Sequence, residues 1–201
     1  MGIALSGRFI LASASPRRIE LLKLMGLTFE VLPSGIDEGH RHGETPREHA
    51  LRLSEEKALS VARLHPDAWV LGADTIVIID REVLGKPGSP AEAKEMLERL
   101  SGREHEVYTG FSIAGQGTGI LFRQVVESTV LFREIAPDEL AWYVDSEEPY
   151  DKAGAYAVQG MGAFFIREIR GSYTNVMGLP LCEVVDALRG LSAVAFSGGR
   201  R

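Results

Sequence analysis

Hydrophobic residues run almost without a break from Trp69 to Ile79, and a single carboxylate, Asp74, interrupts them. A continuous apolar run of this length predicts a strand that is buried on both faces. An ionised group is expensive to bury unless a cation or hydrogen bonds compensate it. Asp74 is therefore either a structural residue at a bulge or an anionic ligand for a metal or water beside a cationic partner.

A polar turn at Asp80-Arg81-Glu82 separates this strand from a short apolar return, Val83-Leu84. Two such runs joined by a polar turn are typical of a β-hairpin. The hairpin is expected to bring Lys86 back toward the Asp74 end of the strand. Gly72 is expected to leave the backbone beside Asp74 uncovered.

Capping residues predict where several helices begin. Thr45-Pro46-Arg47-Glu48 has the spacing of a capping box with proline at the first helical position, and Ser89-Pro90-Ala91-Glu92 repeats it. Ser15-Pro16 opens a further helix, and Gly26 suits its left-handed end. The helices are predicted over 16–25, 46–64, 90–100, 137–144 and 180–188, and the remaining strands over 9–12, 29–32, 104–114, 120–135 and 163–169.

The order of these elements predicts an α/β fold in which helices cover a mixed sheet. One bilobed domain is expected over residues 1–195, followed by a flexible C-terminal tail over 196–201. The long strands 104–114 and 120–135 are joined by a turn at Gly115-Gln116-Gly117. Loops are expected over 34–44, 146–162 and 171–178, and loops at strand ends commonly carry functional residues.

Composition limits the classes of function. The 201 residues are 45% hydrophobic and 25% charged, which suits one soluble domain with a core. The net charge of -6 argues against a broad surface for nucleic acid or an anionic membrane, so any phosphate must be bound by a local cluster. A single cysteine, Cys182, excludes an internal disulfide and a thiolate zinc cage and fits a reducing cytoplasm. No apolar run reaches the length of a bilayer span.

Two groups of cations are candidates for phosphate binding. The turn from Ser13 to Arg18 leads into a helix N-terminus, which attracts anions, and Arg17 could grip phosphate oxygens with two donors. The alternative is an ordinary capped helix with a solvated arginine pair. Lys57 falls on the predicted apolar stripe of Leu53, Val61 and Leu64, so it either extends out to solvent or points into a site that needs positive charge.

The first loop combines carboxylates and imidazoles over Asp37–His42. Its spacing matches no zinc pattern, so Glu38 is the better ligand for a hard cation, while His40 and His42 are expected to be solvated. The later loop, Asp151–Gly160, combines glycine, an aromatic residue and an amide, which suits closure on a planar ligand or a long β-turn. Walker A, G-x-S-x-G and H-E-x-x-H patterns are absent from the sequence.

The candidate residues described above are all of types that act on phosphate groups. Carboxylates for a divalent cation (Glu38, Asp74), cations for phosphate oxygens (Arg17, Lys57, Lys86) and a capped helix N-terminus are what cleavage of a phosphoanhydride requires.

The chain also resembles a known family, in segments that occur in order from Phe9 to about Leu188. They are LASASPRRIELLKLMG, SGIDE, SEEKA, VLGADTIVIIDREVLGKP, LSGREHEVYTG, DKAGAYAVQG and SYTNVMGLPL, which look like the Maf family of nucleoside triphosphate pyrophosphatases. Arg17, Thr75 and Gln159 resemble the branch that acts on dTTP and UTP. The branch that acts on 7-methyl-GTP typically has S-D-Q at the Ala73-Asp74-Thr75 position. Ala157 departs from the glycine often found there.

The resemblance implies an elongated mixed β-sheet flanked by helices, with two lobes around a deep cleft, a Maf/ITPase-like fold. It implies a cytoplasmic enzyme that uses a divalent metal cation (Mg, Mn or Co) to release a nucleoside monophosphate and pyrophosphate. Asp74 would be the catalytic base, and Glu38 and Asp74 would hold the metal. The residues expected to bind substrate or set its specificity are Ser13, Arg17, Lys57, Thr75, Lys86, Lys152 and Gln159.

We therefore expect a nucleoside triphosphate as substrate, namely dTTP and UTP or a modified pyrimidine nucleotide, with no nucleic acid and no membrane as partners. A homodimer is left open. One alternative is a pyrophosphatase for a modified purine nucleotide such as 7-methyl-GTP. Another is a regulator of cell division that binds nucleotide without turnover, but binding phosphate alone does not require Asp74 in an apolar strand.

Overall fold

The computed structural model describes residues 2–115 and 117–197 of the chain. The α-helices are α1 (Pro16–Leu24), α2 (Pro46–Ala62), α3 (Pro90–Leu100), α4 (Pro137–Val144), α5 (Tyr173–Met177) and α6 (Leu181–Gly190). The strands are β1 (Gly2–Leu5), β2 (Arg8–Leu11), β3 (Glu30–Val31), β4 (Ala68–Ile79), β5 (Glu82–Leu84), β6 (Glu104–Gly115), β7 (Ile120–Phe132), β8 (Ile166–Arg170) and β9 (Val194–Ser197). Short 3-10 helices occupy Glu148–Asp151, Ala153–Ala155 and Met161–Phe165.

Most of the strands form one mixed sheet in the order β3-β2-β4-β6-β7-β8, with β5 paired to β4. Strand β2 is parallel to β3 and β4, whereas the β4–β5 and β7–β8 pairs are antiparallel. The α/β fold class with a mixed sheet is therefore confirmed. None of the helices in the described residues has the length and apolar character needed to cross a bilayer.

The chain divides into two compact units. The described part of the first comprises residues 2–74, 109–115, 117–125 and 178–197, and the second comprises Thr75–Tyr108 and Val126–Met177. The division falls inside β4, directly after Asp74. The single domain over 1–195 and the deep cleft remain predictions.

In the first unit, two glycines let helix α2 lie directly on the sheet. A Cβ on Gly72 of β4 would lie 2.3 Å from the carbonyl oxygen of Ser54, and one on Gly110 of β6 would lie 2.3 Å from that of Ala50. No side chain fits at either position, so the backbones of helix and strand approach closely. The expectation that Gly72 leaves its backbone uncovered is wrong, because α2 covers it.

In the second unit, an aromatic cluster fills the core. Phe132 packs edge-on against Tyr156 and His105, with ring centroids 4.8 and 4.9 Å away. Burial lowers the pKa of His105 to about 3, so this imidazole is neutral at pH 7 and lies 2.8 Å from the Tyr156 hydroxyl. Phe132 and Tyr156 thus belong to the hydrophobic core of this unit.

The predicted hairpin and capping box are present. Asp80 and Arg81 both have positive φ and join β4 to β5 in a two-residue turn. Thr45 makes the complete reciprocal box at the start of α2. At α3 the reciprocal half is displaced, because the Glu92 carboxylate accepts from the backbone N–H of Gly88 instead of that of Ser89.

Several predicted elements are corrected. Helix α2 ends at Ala62, so Leu64 lies beyond it and is 77% exposed. The loop expected over 171–178 contains the short helix α5. The two ends of the described chain pair antiparallel as β1 and β9, which places Phe196 and Ser197 in a strand and not in a tail. The rest of the predicted tail and Gln116 of the predicted turn lie outside the described residues.

Candidate active site

Lys57 joins the two carboxylates that the sequence singled out. Its Nζ donates to Asp74 Oδ1 at 2.7 Å and lies 2.7 Å from Glu38 Oε1. The Lys57 and Asp74 side chains are 7% and 9% exposed, whereas that of Glu38 is 57% exposed. Of the two interpretations of Lys57, the structure therefore supports an ammonium that points inward onto anionic groups.

This contact follows from the packing of α2 on β4. Gly72 and Asp74 are two residues apart, so their Cα substituents face the same side of the strand. The backbone of Ala58 lies against Gly72, with its nitrogen 2.6 Å from where a Cβ would be. Lys57 directly precedes Ala58 in α2, and its Nζ reaches Asp74 Oδ1 at 2.7 Å. The ion pair therefore lies where the backbone of α2 packs closely on β4.

The two carboxylates offer oxygen ligands of the kind that hard divalent cations prefer. Because Glu38 Oε1 and Asp74 Oδ1 both lie 2.7 Å from one nitrogen, they are no farther apart than twice that distance. Glu38 is the more exposed of the two. The donor set therefore fits a divalent metal ion.

A buried arginine that the sequence analysis did not single out lies beside this pair. Arg18 Nη1 donates to the carbonyl oxygen of Ala73 at 2.8 Å and to Ser13 Oγ at 3.0 Å, and Nε donates to the carbonyl oxygen of Gly178 at 2.8 Å. Burial lowers the pKa of Arg18, and the charge of Asp74 opposes that shift. Arg18 thereby fixes the start of α1 to the backbone next to Asp74.

At the start of α1, Ser13 has more polar contacts than Ser15. Ser15 occupies the N-cap without a capping bond from its side chain, and its own N–H donates to Ser13 Oγ at 3.3 Å. Ser13 is buried and Arg17 is half-buried. The charge of Arg17 also lowers the pKa of Arg18.

The loop that carries Glu38 is fastened to α2 by Arg52. Arg52 binds both oxygens of Glu44, at 2.6 and 2.9 Å, and its Nη2 also donates to the carbonyl oxygen of Gly39 at 3.0 Å. The hydrogen bonds from Arg52 are the main reason that the pKa of Glu44 falls to about 2. Because Gly39 follows Glu38 directly, this anchor restrains the position of the Glu38 backbone.

A further cluster in the described residues has the composition of a metal site. Ligand atoms of His40, Glu44 and His49 lie within 4.8 Å of one another, and His42 is not part of the group. The rings of His40 and His49 stack at 3.7 Å with an angle of 11° between their planes. Parallel rings do not point their in-plane lone pairs at one ion, and Arg52 already pairs with Glu44. The geometry therefore favours an anchor for the loop.

The other predicted residues belong to the second unit. Thr75 is half-buried in β4, and Lys86 is exposed two residues after β5. Lys152 Nζ donates to the carbonyl oxygen of Glu148 at 2.8 Å and pairs with Asp151. Gln159 is exposed in a turn of the same loop. Lys152 and Gln159 thus share one loop.

Comparison with known proteins identifies the family. The sequence model described as Maf-like protein matches residues 8–191. The chain belongs to the Maf-like family. Nucleoside triphosphate pyrophosphatases of this family are in general metal-dependent.

Three relatives of this Maf-like chain are named dTTP/UTP pyrophosphatase. The relative from Syntrophus aciditrophicus (strain SB) is 66% identical over 194 residues, which cover 96% of this chain and 95% of the relative. The relative from Geotalea uraniireducens (strain Rf4) is 48% identical and covers 92% of this chain and 95% of the relative. The relative from Myxococcus xanthus (strain DK1622) is 50% identical and covers 89% of this chain and 90% of the relative. The resemblance predicted from the sequence motifs is confirmed.

Proposed function

We propose that this Maf-like chain hydrolyses dTTP and UTP to the nucleoside monophosphate and pyrophosphate. The observation that carries the chemistry is the carboxylate of Asp74, which lies in a buried strand and contacts Lys57, with Glu38 on the same ammonium. The substrates are supported by the names of relatives that match nearly the whole chain at up to 66% identity.

In this proposal Asp74 orients or deprotonates the attacking water. A carboxylate is an acceptor when ionised and can take a proton from water within hydrogen-bond reach. Glu38 and Asp74 would hold a divalent cation (Mg, Mn or Co), which when bound neutralises phosphate charge and lowers the pKa of water. Lys57 carries three N–H donors and contacts two carboxylates in the described part of the chain, and its third donor would bind a phosphate oxygen.

Ser13 and Arg17 would bind phosphate oxygens from the start of α1, where the first backbone N–H groups of the helix also attract anions. Arg18 is a positioning residue in this scheme, because its donors are engaged with protein oxygens next to Ser13 and Asp74. Lys86 would be a further cation for the charge that develops in the transition state.

Base recognition is assigned to Gln159, with Thr75 and Lys152 as further substrate-binding residues. Uracil and thymine present O4 as an acceptor and N3–H as a donor, and one side-chain amide can answer both. Gln159 is exposed, so the donor and the acceptor of its amide lie on the surface of the loop. The cytoplasmic location and the homodimer remain predictions.

The direct test is Asp74→Asn, assayed by pyrophosphate release from dTTP and UTP. The change keeps the shape of the side chain and removes its basicity, so we expect a loss of about 10²-fold or more in kcat with nucleotide binding retained. Asp186→Asn, at an exposed position on α6, is the matched control and should keep wild-type activity. Near-normal turnover by the Asp74 variant would contradict the assignment. Preference of the wild type for GTP or 7-methyl-GTP would contradict the substrate assignment, and absence of turnover would favour the regulator.

A further inference from the structure

The carboxylate of Glu148 accepts three hydrogen bonds, two of them from the backbone of the loop that carries Gln159. Its Oε2 accepts from the backbone N–H of Met161 at 2.8 Å, and its Oε1 accepts from that of Gly162 at 2.9 Å. The same Oε1 accepts from the Tyr143 hydroxyl at 2.9 Å. An ionised carboxylate is purely an acceptor, so all three donors are matched to it.

Two glycines make this close approach possible. A Cβ on Gly160 would lie 2.1 Å from Glu148 Oε2, and one on Gly162 would lie 2.7 Å from the Tyr143 hydroxyl oxygen. Both distances are far below van der Waals contact. The backbone from Gly160 to Gly162 is therefore packed directly on the Glu148–Tyr143 pair, which restrains the residue just before it, Gln159.

Glu148 also contacts Lys152, the other residue of this loop that is predicted to bind substrate. Its carbonyl oxygen accepts from Lys152 Nζ at 2.8 Å, and the Lys152 side chain is 14% exposed. Gln159 is exposed, so packing around its own side chain does not hold its amide in place. The backbone of the loop has to set where that amide lies, and Glu148 binds this backbone at its end nearest to Gln159.

We propose that Glu148 is a positioning residue that sets the choice of pyrimidine base by holding the loop of Gln159. This inference rests on the proposed function, because it assumes that Gln159 hydrogen-bonds to the pyrimidine base. Glu148 acts through the loop and does not touch the substrate. An amide that recognises uracil must not rotate, since the rotated amide would match the donor and acceptor pattern of cytosine. A fixed loop backbone is one requirement for that discrimination.

Glu148→Gln tests the positioning role of Glu148, because it replaces one carboxylate oxygen by an NH₂ group. The glutamine amide has one carbonyl oxygen and one NH₂ group, so one backbone N–H of the loop would face a donor in place of an acceptor. We expect KM for UTP to rise and the ratio of kcat/KM for UTP to that for CTP to fall by about tenfold. The value of kcat for UTP should change less, because the groups around Asp74 are untouched.

Glu147→Gln is the matched control. It makes the same chemical change at the adjacent, exposed residue and should leave the UTP to CTP ratio at the wild-type value. Tyr143→Phe removes one of the three donors to Glu148 and leaves the two backbone contacts in place. It should shift the ratio in the same direction by a smaller factor, and it decides the question if the Glu148 variant does not fold.

The Gln159→Leu background separates a positioning role from a general loss of structure. If Glu148 acts through Gln159, adding Glu148→Gln to Gln159→Leu should lower the UTP to CTP ratio no further. An unchanged ratio in a folded Glu148 variant, or an equal further loss in the Gln159 background, would overturn the inference. A wild type that hydrolyses UTP no better than CTP would overturn the base assignment itself and this inference with it.

Discussion

Replacing Lys57 by methionine removes the ammonium that compensates Asp74 and keeps the length of the stem. The cost is therefore electrostatic and not that of a cavity. Asp74 is 9% exposed and loses the cation 2.7 Å away, and breaking such a buried pair from one side costs about 3 to 5 kcal/mol. Glu38 is 57% exposed and remains solvated, so its lost contact adds little. We expect the free energy of unfolding to fall by about 3 kcal/mol.

For a chain of this size that loss corresponds to a fall in Tm of roughly 6 to 12 °C. The assay is urea or thermal unfolding followed by circular dichroism, with pyrophosphate release measured on the same samples. The Lys57→Met/Asp74→Asn double variant should recover most of the lost stability, because the uncompensated charge is then gone. It should recover no activity, since Asp74 is the proposed base.

This reasoning is refuted by either of two results. If Lys57→Met lowers Tm by less than about 2 °C, Asp74 does not depend on Lys57 for compensation. If the double variant is no more stable than the single one, the cost lies in the loss of Lys57 itself and not in an unpaired carboxylate.

Two further predictions concern the elements that build the site. Glu44→Gln should destabilise the protein at pH 7 by roughly 2 kcal/mol, because the depressed pKa of Glu44 stabilises the fold above about pH 4.5. The difference from wild type should shrink as pH falls and vanish near the folded pKa of about 2, and unfolding curves at pH 7, 5 and 3 would check this. Gly72→Ala should lower both Tm and pyrophosphate release, because the new methyl group would lie 2.3 Å from the Ser54 carbonyl oxygen and push α2 away from β4. Gly85→Ala should be neutral, because apart from its chain neighbours no heavy atom of the described residues lies within 4 Å of the added Cβ. An equal effect of the two substitutions would contradict the close-packing argument.

Local signals in the sequence determined the positions of most helices and of the central hairpin. The Thr45 capping box and the proline at position 46 set the start of α2, and the predicted helix Pro137–Val144 has the observed bounds. These signals act within one or two helical turns, so they require no knowledge of distant residues. The carboxylate in an apolar run marked Asp74 for the same reason, since the cost of burying it can be inferred from its immediate neighbours.

The sequence also marked Lys57 and Glu38 as candidates but did not bring them together. Their meeting at Asp74 depends on α2 lying on β4 at Gly72, a contact between backbones that no local pattern specifies. Tertiary packing also determines which of the two adjacent arginines is buried. Arg17 and Arg18 are equal in chemistry, and only packing buries Arg18 against the carbonyl oxygen of Ala73.

The tertiary structure alone determined which side chains bind the backbone of another segment. Arg52 binds the carbonyl oxygen of Gly39, and Glu148 binds the N–H groups of 161 and 162, across 13 and 13 to 14 positions of the chain. Every residue type except proline offers the same backbone groups, so the sequence contains no sign of which one is bound. The pairing of β1 with β9 at the two ends of the described chain has the same physical basis.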